Sequence, residues 1–183
     1  MRLTSAVAAL ALFFAGGRSA GAADTRPHLV AFVTMLADAP LSAASEQRML
    51  ADLIGPMHVR LESVRHTSSF TSGASLCAAY PGIDAVLSVK TIASFRSNPS
   101  RQWPALSEVP AVRWTPREVD VAIEYAITSC GSHGGIVSDK LERRYDPMSM
   151  RESDSQREAD AVVLTAQAMA NSVGERWVRL TGK

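Results

Sequence analysis

Residues 29–36, Leu-Val-Ala-Phe-Val-Thr-Met-Leu, are apolar at both odd and even positions and rich in β-forming side chains. A strand of that kind needs cover on both faces, which points to a central strand in a layered α/β domain. Periodicity alone is also compatible with a buried helix, and Asp38-Ala39-Pro40 ends the run.

The next segment supplies the cover. Ser42 or Ser45 can cap a helix with Glu46 and Gln47 in its first turn, and Met49, Leu50, Leu53 and Ile54 recur at helical spacing. Gly55-Pro56 should end that helix. Met57, Val59 and Leu61 then alternate with His58, Arg60 and Glu62, a period of two that predicts a half-buried strand. His58 falls on the polar face of that strand and His66 beyond its end. A kinked helical continuation through Leu61 and Val64 is the rival reading.

Residues 67–75 are a polar loop, followed by a short helix around Leu76 to Tyr80 that stops at Pro81-Gly82. Ile83 to Ile92 reads as a strand with Ala85, Leu87 and Val89 on one face. Residues 96–118 carry Pro99, Pro104, Pro110 and Pro116, which prevent regular structure through much of the span. Val119 to Thr128 alternates again, Cys130 to Gly135 is dense in turn residues, and Ile136 to Lys140 can return as the second arm of a hairpin. The closing helix can start at Ser153 or Asp154. It carries Ala159, Val162, Val163, Ala166, Met169, Ala170, Val173 and Trp177 as one stripe, weakened near its end by Gly174. The order predicts an α/β (α+β) sandwich: a mixed sheet of about five strands with helices packed on it and one long C-terminal helix.

The amino terminus sets the compartment. Arg2, the apolar stretch Ala6–Ala15 and the small residues ending Ala20-Gly21-Ala22 have the three parts of a secretory signal peptide over residues 1–22. Cleavage there leaves residues 23–183 as a single domain, periplasmic or secreted, with no later run apolar enough to span a membrane. The leader holds two of the 19 basic residues and none of the 18 acidic ones, so the mature net charge is −1. That balance gives no electrostatic case for a nucleic-acid or anionic membrane partner. Cys77 and Cys130, an even pair in an oxidising compartment, predict one disulfide, worth about 4 kcal/mol by loop entropy before strain; a reactive thiol or half of a metal site is the alternative, disfavoured because neither lies in a C-x-x-C pair.

No motif for catalysis, metal or cofactor stands out. His28, His58, His66 and His133 lack zinc spacing, and scattered surface histidines are the plainer reading. Ser132-His133-Gly134-Gly135 resembles an esterase oxyanion loop but lacks a G-x-S-x-G nucleophile, and its glycines suit a turn. No phosphate-cradling glycine pattern occurs. Trp103 and Trp114, in the proline-rich segment, are the candidate binding surface, with pinning of the segment to its own domain as the equal alternative.

The strand Ile83-Asp84-Ala85-Val86-Leu87-Ser88-Val89, the strand Val119-Asp120-Val121-Ala122-Ile123-Glu124-Tyr125, a glycine turn with a return strand, and a final Ala/Val helix ending near Trp177 follow in order. That succession resembles the amino-terminal domain of TolB-type translocation proteins and CsgG-like envelope domains over residues 83–177. The resemblance implies an interaction or assembly module of the bacterial envelope, with an envelope protein as partner, no cofactor and no catalytic residues. A small secreted hydrolase with a dispersed site around His133, or a small-ligand carrier, is the alternative.

Overall fold

A computed structural model describes residues 25–37, 41–97, 117–131, 134–146 and 153–182. Five strands form one mixed sheet in the order β2-β1-β3-β4-β5: β1 His28–Ala37, β2 Arg60–His66, β3 Ala85–Ser97, β4 Arg117–Ser129 and β5 Ile136–Tyr145. β1 pairs in parallel with β2 and β3, and β3, β4 and β5 are antiparallel neighbours. The expected α+β layering is the fold observed.

Helices α1 (Ala43–Ile54) and α3 (Asp154–Thr181) pack together on one face of the sheet. Beneath them, Leu29, Ala31 and Val33 lie beside Ala85, Leu87 and Val89, which pair in turn with Ser129, Ile127 and Tyr125. Each helix opens on a serine cap: Ser42 Oγ accepts the Ser45 N–H at 3.1 Å, and Ser153 Oγ accepts the Gln156 N–H at 3.2 Å. The α3 stripe lies against the core as its periodicity required, with Val162, Ala166 and Val173 fully buried.

Gly174 has a role that helix propensity does not show. A Cβ there would stand 2.7 Å from Pro56 Cβ, so the missing side chain lets α3 cross the Gly55–Met57 turn in close contact. That turn also corrects the strand expected at Met57–Glu62. Gly55–Met57 is one turn of 3₁₀ helix, and His58 follows in the left-handed region at φ 51°. Met57 and Val59 are buried as parts of this corner, and β2 begins only at Arg60. His58 therefore lies outside the strand, and His66 is the last residue of β2 instead of following it.

The proline-rich span is shorter at both ends than expected. β3 runs on to Ser97 and β4 starts at Arg117, and these two residues are the last registered pair of a hairpin. Regular structure thus reaches to within two residues of Pro99 and begins again directly after Pro116. β5 is longer than its expected Ile136–Lys140 and reaches Tyr145.

Candidate binding surface

Short helix α2 (Ala74–Ala79) and the chain around it lie against the second face of the sheet, at one end. Cys77 and Cys130 are bonded, with Cα atoms 5.3 Å apart, joining α2 to the residue just beyond β4. Asp84 locks the same corner: its carboxylate accepts the His28 N–H at 2.7 Å, and its carbonyl accepts the Cys130 N–H at 2.8 Å. Tyr80 stands edge-on to Phe32 with ring centroids 5.6 Å apart. The Gly73 N–H reaches Thr128 Oγ1, and Ser88 donates to the Thr71 carbonyl. This is the half of the second face where Val30, Val86, Ser88, Ala126 and Thr128 are buried.

The other half of that face is open. Leu36 is 52 % exposed and Ile92 38 % exposed, and the two are register partners, with Ala122 next in line across β4. Charged pairs flank this apolar row: Arg144 Nε donates to Asp120 Oδ1 at 2.7 Å, and Lys140 pairs with Glu142. A shallow groove of about 350 Å³ runs along Ile92, Ser94, Ala122 and Arg144. The Ser97–Arg117 pair, from which the proline-rich segment leaves the sheet, is at this same end.

A second concavity, about 240 Å³, lies on the helix side of that end, between the first turns of α3 and the ends of β4 and β5. Val119, Ala161, Val163 and Leu164 form its walls, with Arg48, Arg157, Asp146 and Asp160 among them. The Arg157 side chain is 8 % exposed, pairs with Asp154 and lies 5.9 Å from the centre of the Phe95 ring. Its Nε and Nη1 are buried without an acceptor among the described residues. Two guanidiniums and two carboxylates share this space, so its fixed charges favour neither sign of ligand.

The remaining polar groups are placed as structural links. Ser172 donates to Asp139 Oδ2 at 2.9 Å, Arg176 Nη2 donates to the same oxygen at 2.8 Å, and Tyr125 lies 3.5 Å from Ser172. Burial alone would raise the Asp139 carboxyl. Hydrogen bonds from its neighbour's N–H, Ser172 and Arg176 outweigh that and hold it below the usual carboxylate range. An acceptor so satisfied is a poor base for activating the serine. Burial pushes the Tyr125 phenol up. His28 faces Glu62 at 2.7 Å and His66 faces Glu46 at 2.9 Å, two separate exposed pairs. No cluster of three or more His, Cys, Asp or Glu suited to a metal occurs among the described residues.

No protein-family model matches the chain, and no curated protein matches it in sequence. Among solved structures it is similar to the PelC dodecamer from Paraburkholderia phytofirmans, at 15 % identity over 81 % of this chain and 89 % of that one, with a TM-score of 0.41. A putative neuraminyllactose-binding hemagglutinin homolog from Helicobacter pylori is 10 % identical over 85 % of this chain and 89 % of that one, TM-score 0.39. Lipoprotein GNA1162 from Neisseria meningitidis is 16 % identical over 79 % of this chain and 99 % of that one, TM-score 0.34. Likenesses this low carry no argument about function.

Of the residues singled out in the sequence, Cys77 and Cys130 come together at the covered end. Trp103, Trp114 and His133 lie outside the described residues, as does the leader. Leu36 and Ile92 were missed. Both sit inside runs apolar enough to look like core, and only the register that sets them side by side beyond the α2 cover reveals their exposure.

Proposed function

We propose that this is an exported, non-catalytic binding or assembly domain of the bacterial envelope, which holds a protein partner on the open half of its sheet. The observation that carries the reading is the Leu36–Ile92 row, large apolar side chains left in water beside charged pairs on a face otherwise covered. The disulfide supports an oxidising, extracytoplasmic setting. The signal-like leader and the resemblance of residues 83–177 to TolB-type and CsgG-like domains support an envelope role.

Trp103 and Trp114 belong to the same reading, since their segment joins the sheet at this end. Capture of partners from envelope extract by the immobilised protein tests it. Leu36→Glu and Ile92→Glu should each weaken capture by on the order of 2 kcal/mol, roughly thirtyfold. Both sites are exposed, so unfolding midpoints should stay near wild type. Trp103→Ala and Trp114→Ala should act in the same direction. Capture that survives all four substitutions would sink the reading.

A further inference from the structure

β5 is an edge strand, and among the described residues only β4 pairs with it. The Ser129 N–H bonds to the Gly135 carbonyl at 2.9 Å, which fixes the alternation along the hairpin. Val137, Asp139, Leu141, Arg143 and Tyr145 exchange bonds with β4, and Ser138, Lys140, Glu142 and Arg144 turn their backbone groups outward. A charged edge ordinarily resists further pairing. The order of charges on this edge is self-complementary.

We propose that β5 pairs antiparallel with β5 of a second copy of this chain, about a two-fold axis through Leu141, joining two five-stranded sheets into one. A two-fold must set outward residues opposite outward residues, so its axis passes through a residue. An axis through Asp139, Lys140, Glu142 or Arg143 sets that charge against itself, which is destabilising. An axis through Leu141 sets Lys140 opposite Glu142 and Asp139 opposite Arg143, each twice. It also sets Ser138 opposite Arg144 and Val137 opposite Tyr145. Every pair shares a face, because opposed residues differ by an even number.

The local geometry suits the exchange. The outward Lys140 N–H is occupied by Asp139 Oδ1 at 2.9 Å, a contact within the strand that caps the free edge. On pairing, that N–H passes to the Glu142 carbonyl of the second copy, and Oδ1 is released toward the opposing Arg143. Arg143 makes no ion pair among the described residues, so its guanidinium is available. Glu142 and Arg144 border the open face, but the two proposals are read by different residues and measurements: partner capture with Leu36 and Ile92 tests the face, and self-association with Lys140 and Leu141 tests the edge.

Sedimentation equilibrium of the exported protein, with its disulfide intact, should show a reversible dimer. Lys140→Glu should weaken it roughly tenfold or more, because like charges then oppose twice. The exchange K140E/E142K should restore it; because the exchange also rebuilds the Lys140–Glu142 pair within the strand, the Leu141→Cys cross-link is what separates pairing across the axis from strand stability. Leu141→Cys tests the register directly. Residues on the axis form a non-hydrogen-bonded pair with Cα atoms about 4.5 Å apart, within disulfide range. Peptide mapping of that variant should therefore recover a cross-link between the substituted position of one copy and the same position of the other, while Ser138→Cys gives no link to itself. A protein that stays monomeric, or a dimer indifferent to Lys140→Glu and to the exchange, overturns the proposal.

Discussion

Two residues carry constraints that their chemical type alone does not announce. Gly174 reads in the sequence as a weak point of α3, and in the structure it is the point of closest approach to Pro56. Gly174→Ala would gain up to about 1 kcal/mol of helix propensity, and a proline ring has no rotamer with which to yield. We expect overpacking to win, with a net loss of about 1–2 kcal/mol in denaturant unfolding; an alanine variant as stable as wild type would refute the close-contact account. Asp139 contributes to the pH dependence. Its carboxyl is held below its ordinary value of 3.8 in the folded state, so the stability it contributes is present above that value and lost as pH falls through the folded one. Asp139→Asn should lower the unfolding midpoint at neutral pH, where the carboxylate's contribution is present, and flatten the decline below about pH 4. An acid limb that keeps its slope in the variant would place the sensitive carboxylate elsewhere.

At the scale of elements, the sequence was legible where one periodicity ran unbroken. β3, β4 and α3 each repeat a single pattern over many residues, and their faces fall where the patterns put them. β2 was misplaced because the buried Met57 and Val59 happen to lie two residues apart within a turn. Its true span is broken by a register shift between Leu29 and Val30, where Leu61 and Ser63 are successive partners and Glu62 is the extra residue. That bulge interrupts the alternation from which the strand would otherwise be read. β5 was cut short because Glu142, Arg143 and Arg144 form a charge run, while only Leu141 and Tyr145 mark the packed face. The open row escaped for a further reason. Cover on a sheet face is decided by a distant segment, here residues 67–82, and local composition carries no trace of where that cover stops.

As a whole, the molecule has one end held together by covalent and backbone links and another that presents the open row, the two concavities described above and the hairpin ends. The disulfide at the first end has a topological consequence for the second. Cys77 precedes β3 and Cys130 follows β4, so everything between them, including residues 98–116, lies inside one covalent ring. A protease that cuts that ring once opens it without releasing either fragment. A chain carrying an engineered cleavage site between residues 98 and 116 should migrate, once cut, as a single species on a denaturing gel without reductant, and as two when reduced. Two bands before reduction would show that the ring is not closed. Cutting would also leave β3 and β4 their whole registered ladder, so the folded protein could be severed at its hairpin and still unfold as one body.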